Sequence, residues 1–192
     1  MEIHPKEIKG AWDQGYVLDI HTISSTLIGY NEQGHPEFDT VRSELGELVY
    51  RLKYKGDKSG LHHIAQVVLG FVHRWGIHPN VVIPVPPSRQ RAFQPVIEIA
   101  SEVAKRLGIA LDTASLKKVK TTAQMKDIGD FQARVAALQS AFVSSQDVQD
   151  RSVLLMDDLF QSGATMNVAA RTLKEQGMIR SVYAIALTRT RN

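Results

Sequence analysis

The stretch that most restricts the fold is "SVLLMDDLFQSGATMNVAARTLKEQGMIRSVYAIALTRT", Ser152 to Thr190. "SVLLM" is a continuous apolar run of strand length, the pattern of a strand covered on both faces. "ATMNVAARTLKEQG" spaces its apolar residues as a helix does, and "SVYAIALTRT" is again strand-like. The same alternation occurs upstream. "NVVIPVP" (Asn80–Pro86) is a short apolar strand. "FQPVIEIASEVAKRLG" is a helix with Val96, Ile99, Ala100, Val103 and Leu107 on one face and Gly108 at its end. "SLKK" begins a further strand, and "SAFVS" is another short one. Apolar strands alternating with helices imply an α/β fold with a central, mostly parallel sheet flanked by helices. Ligands of such sheets bind beyond the carboxyl ends of the strands. Both "IPVPPSRQR" and "MDDLFQSGAT" fall at that end.

The first quarter has a different texture. "GYVLDIHTISSTLIGY" (Gly15–Tyr30) is rich in β-branched and aromatic residues and reads as one or two strands, with "NEQGHP" as a turn. From Thr40 the positions Val41, Leu45, Leu48, Val49 and Leu52 have helical spacing, with Asp39 or Thr40 as the cap. "YKGDKSG" breaks that helix, and a second runs from about Leu61 to Trp75, stopped by Gly76. The expected organisation is one compact unit: a strand-rich extension over residues 1–50, packed as a small hood on a core over residues 51–192.

Apolar residues make up 43% and charged residues 22% of the chain, which is the balance of a globular protein. The absence of cysteine excludes disulfides, thiolate zinc sites and cysteine nucleophiles. No apolar run approaches the ~20 residues of a membrane span, and "MEIHPKEIKG" has no apolar signal segment. A cytoplasmic protein without membrane contact is expected. Residues 1–50 carry three Lys/Arg against nine Asp/Glu, and residues 51–192 carry twenty against eleven. A body with that basic excess favours anionic ligands such as phosphates or nucleic acid. The seven histidines show no metal-ligand spacing, and Trp12 and Trp75 read as packing residues.

The chemistry concentrates where "SVLLM" gives way to Asp157 and Asp158. The following loop, Gln161, Ser162, Gly163, Ala164 and Thr165, leads into a helix N-terminus, where unpaired amides and the helix dipole attract an anion. Gly163 permits close backbone approach, and Ser162 and Thr165 add hydroxyl donors. Carboxylates accept hydrogen bonds from vicinal sugar hydroxyls and hold Mg²⁺ directly or through water. An acid pair beside a phosphate cradle suits a ribose 5-phosphate group. Three other readings compete. A Walker B strand would need a G-x-x-x-x-G-K-[ST] loop, which the chain lacks. A receiver-like phospho-acceptor would carry its acids early in the chain. A simple N-cap needs one acid, not two, and no such loop.

"VLLMDDLFQSGAT" resembles the phosphoribosyl-pyrophosphate signature of type I phosphoribosyltransferases, with apolar run, acid pair and small-residue loop in fixed register. Gln161 departs from it, standing where that family usually has a small Thr. The likeness extends to the ComF-type, competence-associated subgroup. "LKYKGDKSG" (Leu52–Gly60) resembles its lysine-tyrosine and glycine-aspartate stretch. "VVIPVPPSRQRAFQP" resembles its V-P-V-P segment and following R-G-F-N-Q motif, with Arg91-Ala92-Phe93-Gln94-Pro95 lacking the usual Gly and Asn. Thr122, Gln124, Arg134 and Ala141-Phe142 fall in register with a further segment. Together the likeness covers roughly Leu52 to Arg191; the subgroup's N-terminal four-cysteine zinc finger is absent.

The resemblance implies a type I phosphoribosyltransferase-like fold and a Mg²⁺-dependent pentosyl transfer, a step of nucleotide metabolism. Pyrophosphate would be displaced from C1 of phosphoribosyl pyrophosphate by an unidentified acceptor: a purine, a pyrimidine or an amine. It assigns Asp157 and Asp158 to the ribose hydroxyls and to Mg²⁺, with Asp158 also as a base. Gln161, Ser162, Gly163, Ala164 and Thr165 take the 5′-phosphate. Ser88, Arg89 and Arg91 become candidates for the pyrophosphate, Arg suiting phosphate bidentately. Lys118, Lys120 and Arg134 belong to a loop that closes over the site. By family habit the chain is a homodimer. The alternative is a non-catalytic protein that binds phosphoribosyl pyrophosphate or a nucleotide, or handles nucleic acid in competence.

Overall fold

The computed structural model describes residues 1–87, 93–119 and 140–191. Ten strands and four helices can be labelled among them. The strands are β1 (Lys6–Glu7), β2 (Gln14–Ile20), β3 (Thr22–Tyr30), β4 (Pro36–Arg42), β5 (Val81–Pro84), β6 (Ala110–Leu111), β7 (Leu116–Lys118), β8 (Phe142–Ser144), β9 (Ser152–Phe160) and β10 (Ser181–Arg189). The helices are α1 (Glu44–Tyr50), α2 (Leu61–Trp75), α3 (Pro95–Leu107) and α4 (Ala164–Glu175). Among the described residues no helix is long and apolar enough to cross a membrane.

Six strands form the central sheet in the order β1-β2-β10-β9-β5-β6. From β2 across to β6 every pairing is parallel, and only the short β1 runs antiparallel. The expected α/β fold with a mostly parallel sheet is therefore present.

The sheet is covered on both faces, and the side-chain period of two divides its core into two layers. Val153 and Leu155 of β9, Val81 and Ile83 of β5, and Val182, Ala184 and Ala186 of β10 face one layer. There they meet Met166, Ala169, Ala170 and Leu173 of α4. Leu154 and Met156 of β9, Val82 of β5, and Ile185 and Leu187 of β10 face the other. That layer is closed by α1, α2 and α3 through residues such as Leu45, Val49, Ile64, Val68, Ile99 and Val103.

Helix α2 has the expected bounds, closed by Gly76 at φ 74°. Helix α3 begins with Pro95 at its first position and ends at Gly108 at φ 68°. Two of the boundaries that differ from the sequence reading bear on the site and its surroundings. The helix placed from Thr40 begins at Glu44, capped by Ser43 rather than Asp39 or Thr40. Residues 36–42 instead form β4, antiparallel to β3. Its β-branched and aromatic content pairs across the turn at Asn31–His35, so Val41, counted on a helical stripe, is a strand residue. Ser43 Oγ accepts from Gly46 N–H at 3.0 Å and donates to Ile20 C=O, which ties both feet of the β3–β4 ribbon to the end of β2. Residues 1–50 thus divide: β2 is a strand of the central sheet, while β3 and β4 form a two-stranded ribbon of their own.

The second difference concerns β9. It does not end at Met156 but runs on to Phe160, with both acids inside the strand. Its two flanks end at different points. On one side β10 stays paired as far as Arg189 opposite Phe160. On the other, β5 pairs only as far as Pro84 opposite Met156, with a last bond from Val85 N–H to Met156 C=O at 2.8 Å. Pro86 and Pro87 follow, and proline has no N–H with which to continue a ladder. Among the described residues none pairs with the β5 flank of β9 from Asp157 onward.

Candidate active-site cleft

That flank forms the floor of a cleft of about 350 Å³. Asp157 and Asp158 line it, as do Gln161, Ser162, Gly163, Ala164 and Thr165, with Val85, Pro86 and Pro87 on the β5 side. The acid pair and the small-residue loop, singled out together from sequence, occupy one site. Ser88, Arg89, Arg91, Lys120 and Arg134 lie outside the described residues. Lys118 ends β7, half-buried, with its Nζ 5.6 Å from the centre of the Phe142 ring. Burial lowers its ammonium pKa, and the negative field of Asp157 opposes that shift.

The loop geometry follows from one glycine. Gly163 is the N-cap of α4 with φ 73°, a left-handed conformation. Phe160 closes off the space where a side chain would stand, and is itself edge-on to Trp12 at 6.5 Å between ring centres. The chain therefore turns tightly from β9 into α4. Ala164, Thr165 and Met166 open the helix, whose first-turn amides have no intrahelical acceptors. Ser162 Oγ lies 3.4 Å from Ala164 N–H, and Thr165 lines the same wall.

The two acids enter the cleft from opposite faces of β9. Asp157 continues the Val153–Leu155 face toward α4. Asp158 continues the Leu154–Met156 face, on the side of α1. Directly after α1 comes a π-helical turn, Arg51–Lys55, closed by Gly56 at φ 65°. Leu52 anchors it in the core at 1% exposure. Lys53 projects from this turn into the cleft, with its Nζ 2.6 Å from Asp158 Oδ2. The sequence reading gave Lys53 no role. "LKYKGD" was visible as a motif, but the partner of its lysine lies more than a hundred positions downstream and only the fold brings them together.

Asp157 is a perturbed acid. Burial, reinforced by repulsion from Asp158, raises its pKa to about 7, against the Asp158 amide and Lys53, which favour the carboxylate. Its Oδ1 accepts from Asp158 N–H at 2.8 Å. Behind Asp158 runs a short relay. Thr188 Oγ1 donates to Asp158 C=O at 3.1 Å, and His21 Nδ1 lies 3.0 Å from the same hydroxyl. A threonine has one hydroxyl proton, so His21 Nδ1–H is the donor to it. Burial, aided by Arg42 and Lys53, lowers the His21 pKa, while Asp158 and Glu47 oppose that shift.

Among the described residues no group of three or more His, Asp or Glu side chains gathers to hold a metal alone. Two hard carboxylates in one cleft do fit Mg²⁺, which uses one or two carboxylates together with water and substrate phosphates. The cleft is thus equipped to bind a phosphate at the α4 terminus and a polyol or cation at the acids.

The sequence profile described as "Phosphoribosyl transferase domain" matches residues 72–191. Competence protein ComFC of Bacillus subtilis (strain 168) is 24% identical over 166 residues, 79% of this chain and 62% of that protein. The chain therefore spans under two thirds of the length of this curated relative. Among solved structures, adenine phosphoribosyltransferase from Leishmania tarentolae overlays with a TM-score of 0.49 at 11% identity, over 97% of this chain and 94% of that one. A hypothetical protein from Neisseria gonorrhoeae with bound ppGpp overlays with 0.46 at 11% identity, over 69% and 68%.

Proposed function

The chain belongs to the phosphoribosyl transferase domain family, and from that premise we propose that it is a Mg²⁺-dependent phosphoribosyltransferase acting on phosphoribosyl pyrophosphate. The observation that carries this reading is the one cleft that holds an acid pair and the N-terminus of α4 side by side. In this reading the amides and hydroxyls of Ser162 to Thr165 hold the 5′-phosphate, aided by the α4 dipole. Asp157 and Asp158 accept hydrogen bonds from the ribose hydroxyls and orient C1 toward the acceptor. The C1–O bond to pyrophosphate breaks with its electron pair on the leaving group. A nucleophilic atom of the acceptor forms the new bond to C1.

Positioning and charge stabilisation then supply the rate, with no covalent enzyme intermediate. Asp157 and Asp158 would hold Mg²⁺, directly or through water, and the cation would neutralise charge on the diphosphate. Asp158, fixed by Thr188 at its carbonyl, is the candidate to take the acceptor's proton. Ser88, Arg89 and Arg91 remain the candidates for the pyrophosphate side by their place in the sequence.

Calorimetry with phosphoribosyl pyrophosphate tests the reading, with and without Mg²⁺. Wild type should bind with Mg²⁺, and the double variant Asp157→Asn/Asp158→Asn should lose at least tenfold in affinity. Absence of binding by the folded wild type would rule the reading out.

The basic excess of residues 51–192 supports a second reading, a nucleic-acid-handling role; the Bacillus relative is named a competence protein. Its signature is DNA affinity that falls steeply with salt.

A further inference from the structure

The charge in the cleft poses a difficulty for the ligand just proposed. Phosphoribosyl pyrophosphate is a polyanion, yet the described residues lining the cleft offer two carboxylates against one cationic side chain, Lys53. The loop at α4 supplies neutral donors and a fractional dipole charge. Lys53 is engaged with Asp158 at 2.6 Å. That pair is largely withdrawn from water, with 23% of the Lys53 side chain and 14% of the Asp158 side chain exposed. A polyanion that simply added to this arrangement would meet an ammonium already neutralised and a second carboxylate beside it.

The local backbone shows which part can move. The root of Lys53 is fixed by the two residues before it: Leu52 is buried in the core, and Arg51 is paired with Asp57 at 2.5 Å. The π-helical turn itself is closed by a left-handed glycine. The ammonium, by contrast, sits on a flexible four-carbon stem and is a point charge that can be redirected. Asp158 also has a second attachment. Its carbonyl is held by Thr188, which His21 backs, so its backbone stays in place when the lysine leaves.

We infer that the Lys53–Asp158 pair is an exchangeable latch: as a sugar diphosphate enters, Lys53 transfers from Asp158 to the diphosphate and releases the Asp158 carboxylate to the ribose hydroxyls. The inference rests on the proposed function and adds a residue and an order of events to it. One ligand satisfies both ends of the broken pair, anion at the lysine and hydroxyls at the acid. This avoids leaving a buried charge unpaired. A sugar phosphate without the diphosphate opens the latch with no new partner for Lys53, so the latch selects for the diphosphate.

The test compares two ligands in the presence of Mg²⁺, phosphoribosyl pyrophosphate and ribose 5-phosphate, on wild type, Lys53→Met and Lys53→Arg. Calorimetry gives the affinities, and thermal melts confirm that each variant folds. Lys53→Met should bind phosphoribosyl pyrophosphate at least tenfold more weakly while binding ribose 5-phosphate as well as wild type or better. Lys53→Arg should restore most of the diphosphate affinity. Equal losses for both ligands in Lys53→Met would mean that the lysine only holds Asp158 in place, and would overturn the latch alone. No loss for either ligand would also overturn it. A wild type that binds neither ligand would overturn the phosphoribosyl reading and the latch with it. Should Lys53→Met melt without a cooperative transition, Lys53→Gln replaces it in the same comparison.

Discussion

A Cβ placed on Gly163 would lie 2.5 Å from Cζ of Phe160, and the backbone there has φ 73°. Two independent costs follow for any other residue: a left-handed conformation, worth about 1 kcal/mol or more, and a clash with an aromatic ring that Trp12 backs. Gly163→Ala should lower stability by about 2–3 kcal/mol and weaken ribose 5-phosphate binding at least tenfold. Urea denaturation and calorimetry check the two effects separately. An alanine variant as stable as wild type would refute this loop geometry.

Asp157 gives a pH signature. Its folded pKa lies near 7, above the ordinary 3.8. The folded state thus holds a proton that the unfolded chain releases earlier. The stability this group contributes is fully present below about pH 4 and is lost as pH rises through about 7. His21 acts in the opposite sense. Its folded pKa is lowered, so its contribution is present above the ordinary 6.5 and is lost as pH falls. Subtracting an Asp157→Asn unfolding series from the wild-type series, both without metal, isolates the first effect. The difference should decline from pH 4 to 8; a flat difference would contradict the perturbed carboxyl.

Ser43 is expected to matter more than a surface serine. It caps α1 and also binds Ile20 C=O. Ser43→Ala should cost about 1–2 kcal/mol, the upper range for a lost N-cap, because a second bond goes with it. Ser43→Thr should recover most of it. Chemical denaturation of the three proteins decides the matter.

The layered core predicts a contrast between two apolar residues. Leu155 is fully buried on β9, whereas Val143 on β8 is 40% exposed. Leu155→Ala should cost about 2–5 kcal/mol, and Val143→Ala should stay within about 0.5 kcal/mol. Similar costs at both sites would argue against the sheet order described above.

The elements most legible in the sequence were those whose local chemistry and tertiary role agree. Helices α2 and α3 each have an apolar stripe and a glycine stop, so their existence and C-terminal limits could be read directly. The start of α1 could not. Val41 satisfies a helical stripe and a strand equally, and only pairing with Ser24 across the ribbon decides between them. The end of β9 was hidden for a related reason. Two acids look like the close of a buried strand, but β10 supports that strand for four residues more. The tight turn from β9 into α4 was legible because glycine, hydroxyls and helix start are contiguous. Lys53, His21 and Thr188 come from three separate segments, and no local pattern marks them as neighbours of Asp158.

The two-layer core has a consequence for how this site tolerates change. From Val153 to Met156 each residue of β9 belongs to a layer by the parity of its position, and the acids inherit that parity from this apolar run. Substituting one aliphatic residue for another in Val153–Met156 leaves the assignment intact. Inserting or deleting a single residue there would exchange the layers. Asp157 would then face the lysine turn, its neighbour would face α4, and the hydrophobic core would invert with them. Length between Ser152 and Asp157 is therefore a stricter inheritance than side-chain identity, and variation in this protein's lineage should accumulate as replacements, not as gaps.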